Sequence, residues 1–100
     1  MERIGYVKLF AGNSVTTLNY MVEDDYVYAI TKGSSNKVKE LNANADSVKI
    51  RIKKDEFPVE AEVISNEDVV KAYYDKFVND KNNHYKKFIE GLVVLKFKRI

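Results

Sequence analysis

The chain has 100 residues, 45% of them hydrophobic and 32% charged, which allows one thin hydrophobic core. Its 17 basic and 15 acidic residues are mixed along the sequence, and a net charge of +2 is too even to argue for DNA. The absence of cysteine excludes a disulfide and a thiolate metal site and fits a reducing compartment, and there is neither a signal peptide nor an apolar run near the roughly 18 residues of a membrane span. The expectation is one domain over residues 1–100, cytoplasmic and without a membrane partner.

Residues 6–11, YVKLFA, alternate as a strand with Val7, Leu9 and Ala11 on one face and Tyr6, Lys8 and Phe10 on the other. Gly12-Asn13 is a two-residue hairpin turn. The return strand, residues 14–22, sets Val15, Thr17, Asn19 and Met21 on one face and Thr16, Leu18, Tyr20 and Val22 on the other. Thr17 and Asn19 sit where a buried strand would carry aliphatics, so they face either solvent or the polar edge of a planar ligand. Glu23-Asp24-Asp25 turns the chain, and Tyr26 to Thr31 completes a three-stranded meander.

The next stretch, Thr31 to Val48, breaks at Gly33-Ser34-Ser35, and Val38, Leu41 and Ala45 then recur at helical spacing, which predicts a helix over residues 35–44. Either serine can serve as N-cap. A helix N-terminus presents unpaired N–H groups and partial positive charge, which favours Asp and Glu in its first turn. Here no acid precedes Glu40; Lys32, Lys37 and Lys39 surround the helix start together with the hydroxyls of Thr31, Ser34 and Ser35. Such a cluster repels itself unless an anion fills it, and a phosphate would do so. The alternative is a short solvated helix whose lysines keep the chain soluble. A second helix start, Ser65-Asn66-Glu67-Asp68, has a cap and two carboxylates of its own.

Ser47 to Lys53 alternates with Val48, Ile50 and Ile52 inward and Lys49, Arg51 and Lys53 outward. Lys54-Asp55-Glu56 turns into a strand with Phe57, Val59, Ala61 and Val63 inward; Pro58 belongs at its start or edge, and the acidic outer face can pair with the basic one across the hairpin. Ser65 caps a helix to about Asn79 with Val69, Val70, Tyr73 and Phe77 on its apolar stripe. Asp80 to Asn83 is a loop, a short amphipathic piece holds Tyr85, Phe88 and Ile89, and Leu92 to Arg99 is the last strand. Six strands with two or three helices predict an α+β fold, a small and mostly antiparallel six-stranded split β-barrel, in which the helix after Thr31 is the only candidate parallel crossover.

Chemistry borne by the protein itself is sparse. His84 is the only histidine and lies in a polar loop, the four glycines form no phosphate-loop pattern, and no nucleophile has a base nearby in sequence. Any reaction would be carried by a bound cofactor. That leaves a flavin-type redox protein, a non-catalytic binder of a phosphorylated ligand, or a structural dimer.

With Thr31, Lys37, Leu41 and Asn44 in these places, the order of elements resembles the pyridoxamine 5′-phosphate oxidase-like split β-barrel proteins. Those include small FMN-binding proteins and the deazaflavin-dependent nitroreductase group. Their pattern is a hairpin, a strand ending in Ser or Thr, a turn, and Lys-x-x-x-Leu-x-x-Asn-Pro before another strand. The resemblance implies an FMN-binding oxidoreductase built as a homodimer and acting on a small-molecule substrate. Lys37 would be the phosphate ligand, Ser34, Ser35 and Thr31 would assist it, and Thr17 and Asn19 would lie by the flavin ring. The deazaflavin F420 or no cofactor at all are the alternatives, though Lys37 looks more like the FMN branch. The chain departs from the pattern at Ser35, where many relatives carry Arg, and at Ala45, which replaces Pro. Nucleic acid is disfavoured as a partner, because no aromatic accompanies the Lys49, Arg51 and Lys53 row.

Overall fold

A computed structural model describes residues 2–100. The chain runs β1 (Ile4–Ala11), β2 (Ser14–Glu23), β3 (Tyr26–Lys32), α1 (Asn36–Ala43), a 3₁₀ turn (Ala45–Ser47), β4 (Lys49–Ile52), β5 (Asp55–Ile64), α2 (Glu67–Asn79) and β6 (Leu92–Arg99). The six strands close into a barrel in the order β1-β2-β3-β6-β5-β4, with every neighbouring pair antiparallel. The antiparallel split barrel expected from the sequence is the fold observed. The candidate for a parallel crossover is not one: α1 connects β3 to β4, which are not neighbours, and crosses one end of the barrel instead.

Alternation in the strands decides what fills the barrel. Val7, Leu9, Leu18, Tyr20, Ile50, Val59, Leu95 and Phe97 point inward and are buried. Val38 and Leu41 of α1 join the same cluster, so the short helix plugs the end at which it lies. The hairpin at Gly12-Asn13 forms with Gly12 at φ +58°, a conformation glycine adopts without a Cβ penalty. The β4–β5 turn falls at Lys53-Lys54, one step earlier than the sequence suggested, with Lys53 at φ +57°. Pro58 lies within β5 rather than at its start, and its missing donor faces Ile100 just past the end of β6, which still donates to the Pro58 carbonyl at 3.3 Å, so only a terminal bond of that ladder is lost.

A second apolar layer covers the outside of β3 and β6. There Val70 and Tyr74 of α2 pack with Tyr28, Leu92 and Val94. The cap of α2 is Asn66, whose side chain accepts from the Val69 amide at 3.2 Å, rather than Ser65. The buried stripe runs through Val70, Tyr74 and Phe77, with Tyr73 half-buried, and Val69 is 36% exposed. No helix forms around Tyr85, Phe88 and Ile89; these side chains reach the outer layer from an irregular loop. Among the described residues no helix is long and apolar enough to cross a membrane.

Tyr28 joins α2 to the sheet through a stack on Tyr73, with ring centroids 4.5 Å apart. Tyr73 in turn donates to Glu23 at 3.2 Å, and Glu23 pairs with Lys76 at 2.6 Å. Burial, then the hydrogen bond with Tyr73, pushes the Tyr28 hydroxyl from 10.0 up to about 12. The fold therefore favours the protonated phenol, and that contribution is intact below pH 10 and lost as pH rises through about 12. Stability measured by urea unfolding should fall across that window, with tyrosinate absorbance rising in step. The Tyr28→Phe variant should show a shallower fall.

Candidate functional site

The ladder between β2 and β3 contains only Met21↔Tyr28, Val22↔Val27 and Glu23↔Tyr26. Continued in that register it would set Asn19 opposite Ile30 and Leu18 opposite Thr31, but the strands part before they reach those positions. The opening is a gap of about 80 Å³ lined by Thr17, Leu18 and Asn19 from β2, Ile30 and Thr31 from β3, and Lys37, His84 and Tyr85. Asn82 braces β2 beside this opening: its Nδ2 donates to the Tyr20 carbonyl at 2.8 Å, while its Oδ1 accepts from Asn19 Nδ2 at 3.2 Å. The Asn82 amide is itself held by the Phe77 carbonyl at 2.9 Å, which ties the loop after α2 to the gap.

The N-terminus of α1 reaches the same gap. Lys37 is half-buried and its Nζ donates to Thr31 Oγ1 at 3.1 Å, with Thr31 only 1% exposed. None of the ion pairs among the described residues includes Lys37. Ser35 occupies the N-cap position with extended backbone, yet its side chain makes no capping bond, and its Oγ is buried without a partner. No acid lies in the first turn. An ammonium group, an unsatisfied buried hydroxyl and open helix N–H groups are the donors that suit a phosphate.

Of the six residues singled out from the sequence, Thr17, Asn19, Thr31 and Lys37 line the gap together. Ser34 is exposed, and neither Ser34 nor Ser35 lines it. The side-chain donor of Asn19 is engaged with Asn82, whereas Thr17 is exposed. Sequence reasoning missed Asn82 and Tyr85 as neighbours of this site and treated His84 as surface only. His84 is exposed and lies edge-on to Tyr85 with ring centroids 5.0 Å apart. The one available signal was the polar Asn82-Asn83 pair directly after a helix, which does not announce what it will bond.

Thr17 also borders a second hollow of about 320 Å³, whose lining includes Tyr6, Lys8, Tyr20, Arg51 and Lys53. It lies where β1 and β4 stop pairing after Lys8↔Arg51. On this outer face Phe10 sits 5.9 Å from the Lys49 ammonium and 5.6 Å from the Arg51 guanidinium, and Tyr6 is 71% exposed. The basic row therefore does have aromatic neighbours, contrary to the sequence reading. Two of its cations are nevertheless paired within the chain, Lys49 with Glu56 at 3.5 Å and Lys53 with Glu2. Among the described residues no group of three or more metal-binding side chains comes together.

No family model matches the sequence, and no curated protein matches it. Among solved structures the chain is similar to a protein of Listeria innocua described as "Putative Pyridoxamine 5'-phosphate oxidase", with a TM-score of 0.71 over 98% of this chain and 84% of that one. The chain has the pyridoxamine 5′-phosphate oxidase-like fold. Sequence identity is 15%, so the likeness is one of architecture: a six-stranded antiparallel barrel.

Because Asn82 is 7% exposed and bonds both the Tyr20 carbonyl and the Asn19 side chain, truncating it removes two hydrogen bonds and leaves the Asn19 side-chain amide without this partner. Asn82→Ala should cost about 1–3 kcal/mol in urea unfolding. Asn82→Asp, which sets a carboxylate against that carbonyl, should cost more than the alanine variant.

Proposed function

We propose that the chain is an FMN-binding, oxidoreductase-like protein that works as a homodimer, with the cofactor phosphate at the start of α1. The observation that carries this reading is Lys37, a half-buried cation with no acidic partner among the described residues, next to the orphaned hydroxyl of Ser35. Lys37, Ser35, Ser34 and Thr31 would hold the phosphate, and Thr17 and Asn19 would stand beside the ring. The bound cofactor would supply hydride or electron transfer through its isoalloxazine ring, while the protein supplies binding and electrostatics. The shared fold supports the assignment, and the absence of cysteine agrees with a cytoplasmic setting.

The gap of about 80 Å³ lies far below the roughly 300 Å³ at which ligand pockets begin, so a flavin ring would lie outside it. It would rest across Thr17 toward the second hollow and be covered by the partner subunit. The smallness of the gap also favours a second reading, a non-catalytic holder of a phosphorylated ligand that exposes the rest of that ligand.

Visible absorption of the purified protein, before and after adding FMN, tests both. A bound yellow chromophore that bleaches with a nicotinamide donor supports the oxidoreductase, and a bound chromophore that no donor bleaches supports the holder. No spectral change at micromolar FMN removes the cofactor assignment. Lys37→Glu should weaken FMN binding at least about tenfold, the scale of one charge-assisted hydrogen bond, without lowering the thermal midpoint. Unchanged affinity in that variant would place the phosphate elsewhere.

A further inference from the structure

Among the described residues no helix plugs the end of the barrel opposite α1. There the β2–β3 turn, the first residues of β5 and the last of β6 surround a pocket of about 310 Å³, within the roughly 300–1,000 Å³ span of small-molecule sites. Its apolar lining is Val22, Val27, Phe57 and Phe97, members of the barrel core or packed against it, and the two charged residues that line it are Asp25 and Arg99. Barrel mouths with an apolar floor and a few polar groups at the rim are a recurrent place for ligands.

The two charges are not paired with each other. Neither Asp25 nor Arg99 takes part in an ion pair among the described residues, although pairs form readily elsewhere on the surface. The Arg99 guanidinium carbon stands 4.3 Å from the centre of the Phe57 ring. No carboxylate of the described residues pairs with this guanidinium, and a guanidinium can hold a carboxylate in a bidentate fork. Asp25 is fixed in the turn at φ +67°, a left-handed conformation that aspartate tolerates better than most residues. One free cation and one free anion over an apolar hollow complement a ligand that carries both charges and an apolar body.

We propose that this mouth binds a free α-amino acid with an apolar or aromatic side chain. The ligand's carboxylate lies on Arg99, its ammonium group on Asp25, and its side chain against Val27, Phe57 and Phe97. The pocket shares no residue with the gap at α1, so the assignment does not depend on FMN.

Titration of the full chain with L-phenylalanine, followed by ¹H–¹⁵N NMR, tests the assignment against two analogues. These are 3-phenylpropionate, which lacks the ammonium group, and phenethylamine, which lacks the carboxylate. The expected result is saturable shifts confined to residues 22–27, 55–59 and 97–100, with each analogue bound at least about tenfold more weakly, the worth of one charge-assisted contact. Arg99→Gln and Asp25→Asn, both substitutions at exposed positions, should each weaken phenylalanine to a similar degree while leaving the spectrum of the free fold intact. The proposal is overturned by the absence of saturable shifts at about 10 mM phenylalanine. Equal affinity for 3-phenylpropionate or for phenethylamine, or an unchanged titration in either variant, overturns it as well.

Discussion

Much of this molecule follows from one broken ladder. A closed barrel satisfies the hydrogen bonds of every strand, so a place where two strands part creates backbone groups that must be met by something else. Between β2 and β3 the ladder ends at Met21↔Tyr28, and beside the break Asn82 ties down β2 by accepting from the Asn19 side chain and donating to the Tyr20 carbonyl. That contact brings the loop after α2 down onto the barrel, and with it His84 and Tyr85 to the gap. A structural need thus assembles the polar surroundings of the candidate site.

The two helices handle their dipoles differently, and the contrast has a packing cause. α2 lies on the outside of the sheet with its N-terminus in solvent, where the Asn66 cap and the Glu67 and Asp68 carboxylates answer it. α1 is anchored by Val38 and Leu41 in the barrel end, and Lys37, the neighbour of Val38, is thereby set against Thr31 at the edge of the gap. Its Ser35 hydroxyl is neither a cap nor solvated. Moving the helix by one residue would turn Lys37 away and lift Val38 out of the core, so core packing fixes where the cation stands.

The fold was legible because the strands alternate cleanly. Val7-Leu9-Ala11 and Val48-Ile50-Ile52 have one buried set and one wet set, and a slip of one residue would expose the whole apolar set. The charge pattern at α1 was legible for a similar reason, since first-turn acids are a local rule and their absence can be seen locally. Asn82 was not legible, because its partners lie more than sixty residues away and nothing nearby marks it as buried. The segment around Phe88 misled the reading by its apolar spacing, which is satisfied by docking onto Tyr74 rather than by a helical turn. The aromatic beside the basic row escaped notice because Phe10 arrives from β1, through the Phe10↔Lys49 pairing that closes the barrel.

Barrel closure also links the proposed cofactor to the proposed dimer. The barrel interior is filled by side chains, and the split opens only a phosphate-scale gap. A ring held from that gap would lie on the outer face of β1 and β2, where Tyr6 is 71% and Val15 58% exposed and no helix among the described residues covers them. Ligand binding at modest size depends on excluding water from most of the ligand's surface. Shelter for such a ring would then come from a second molecule laid over the same face, and cofactor affinity would depend on protein concentration in the range where the subunits associate.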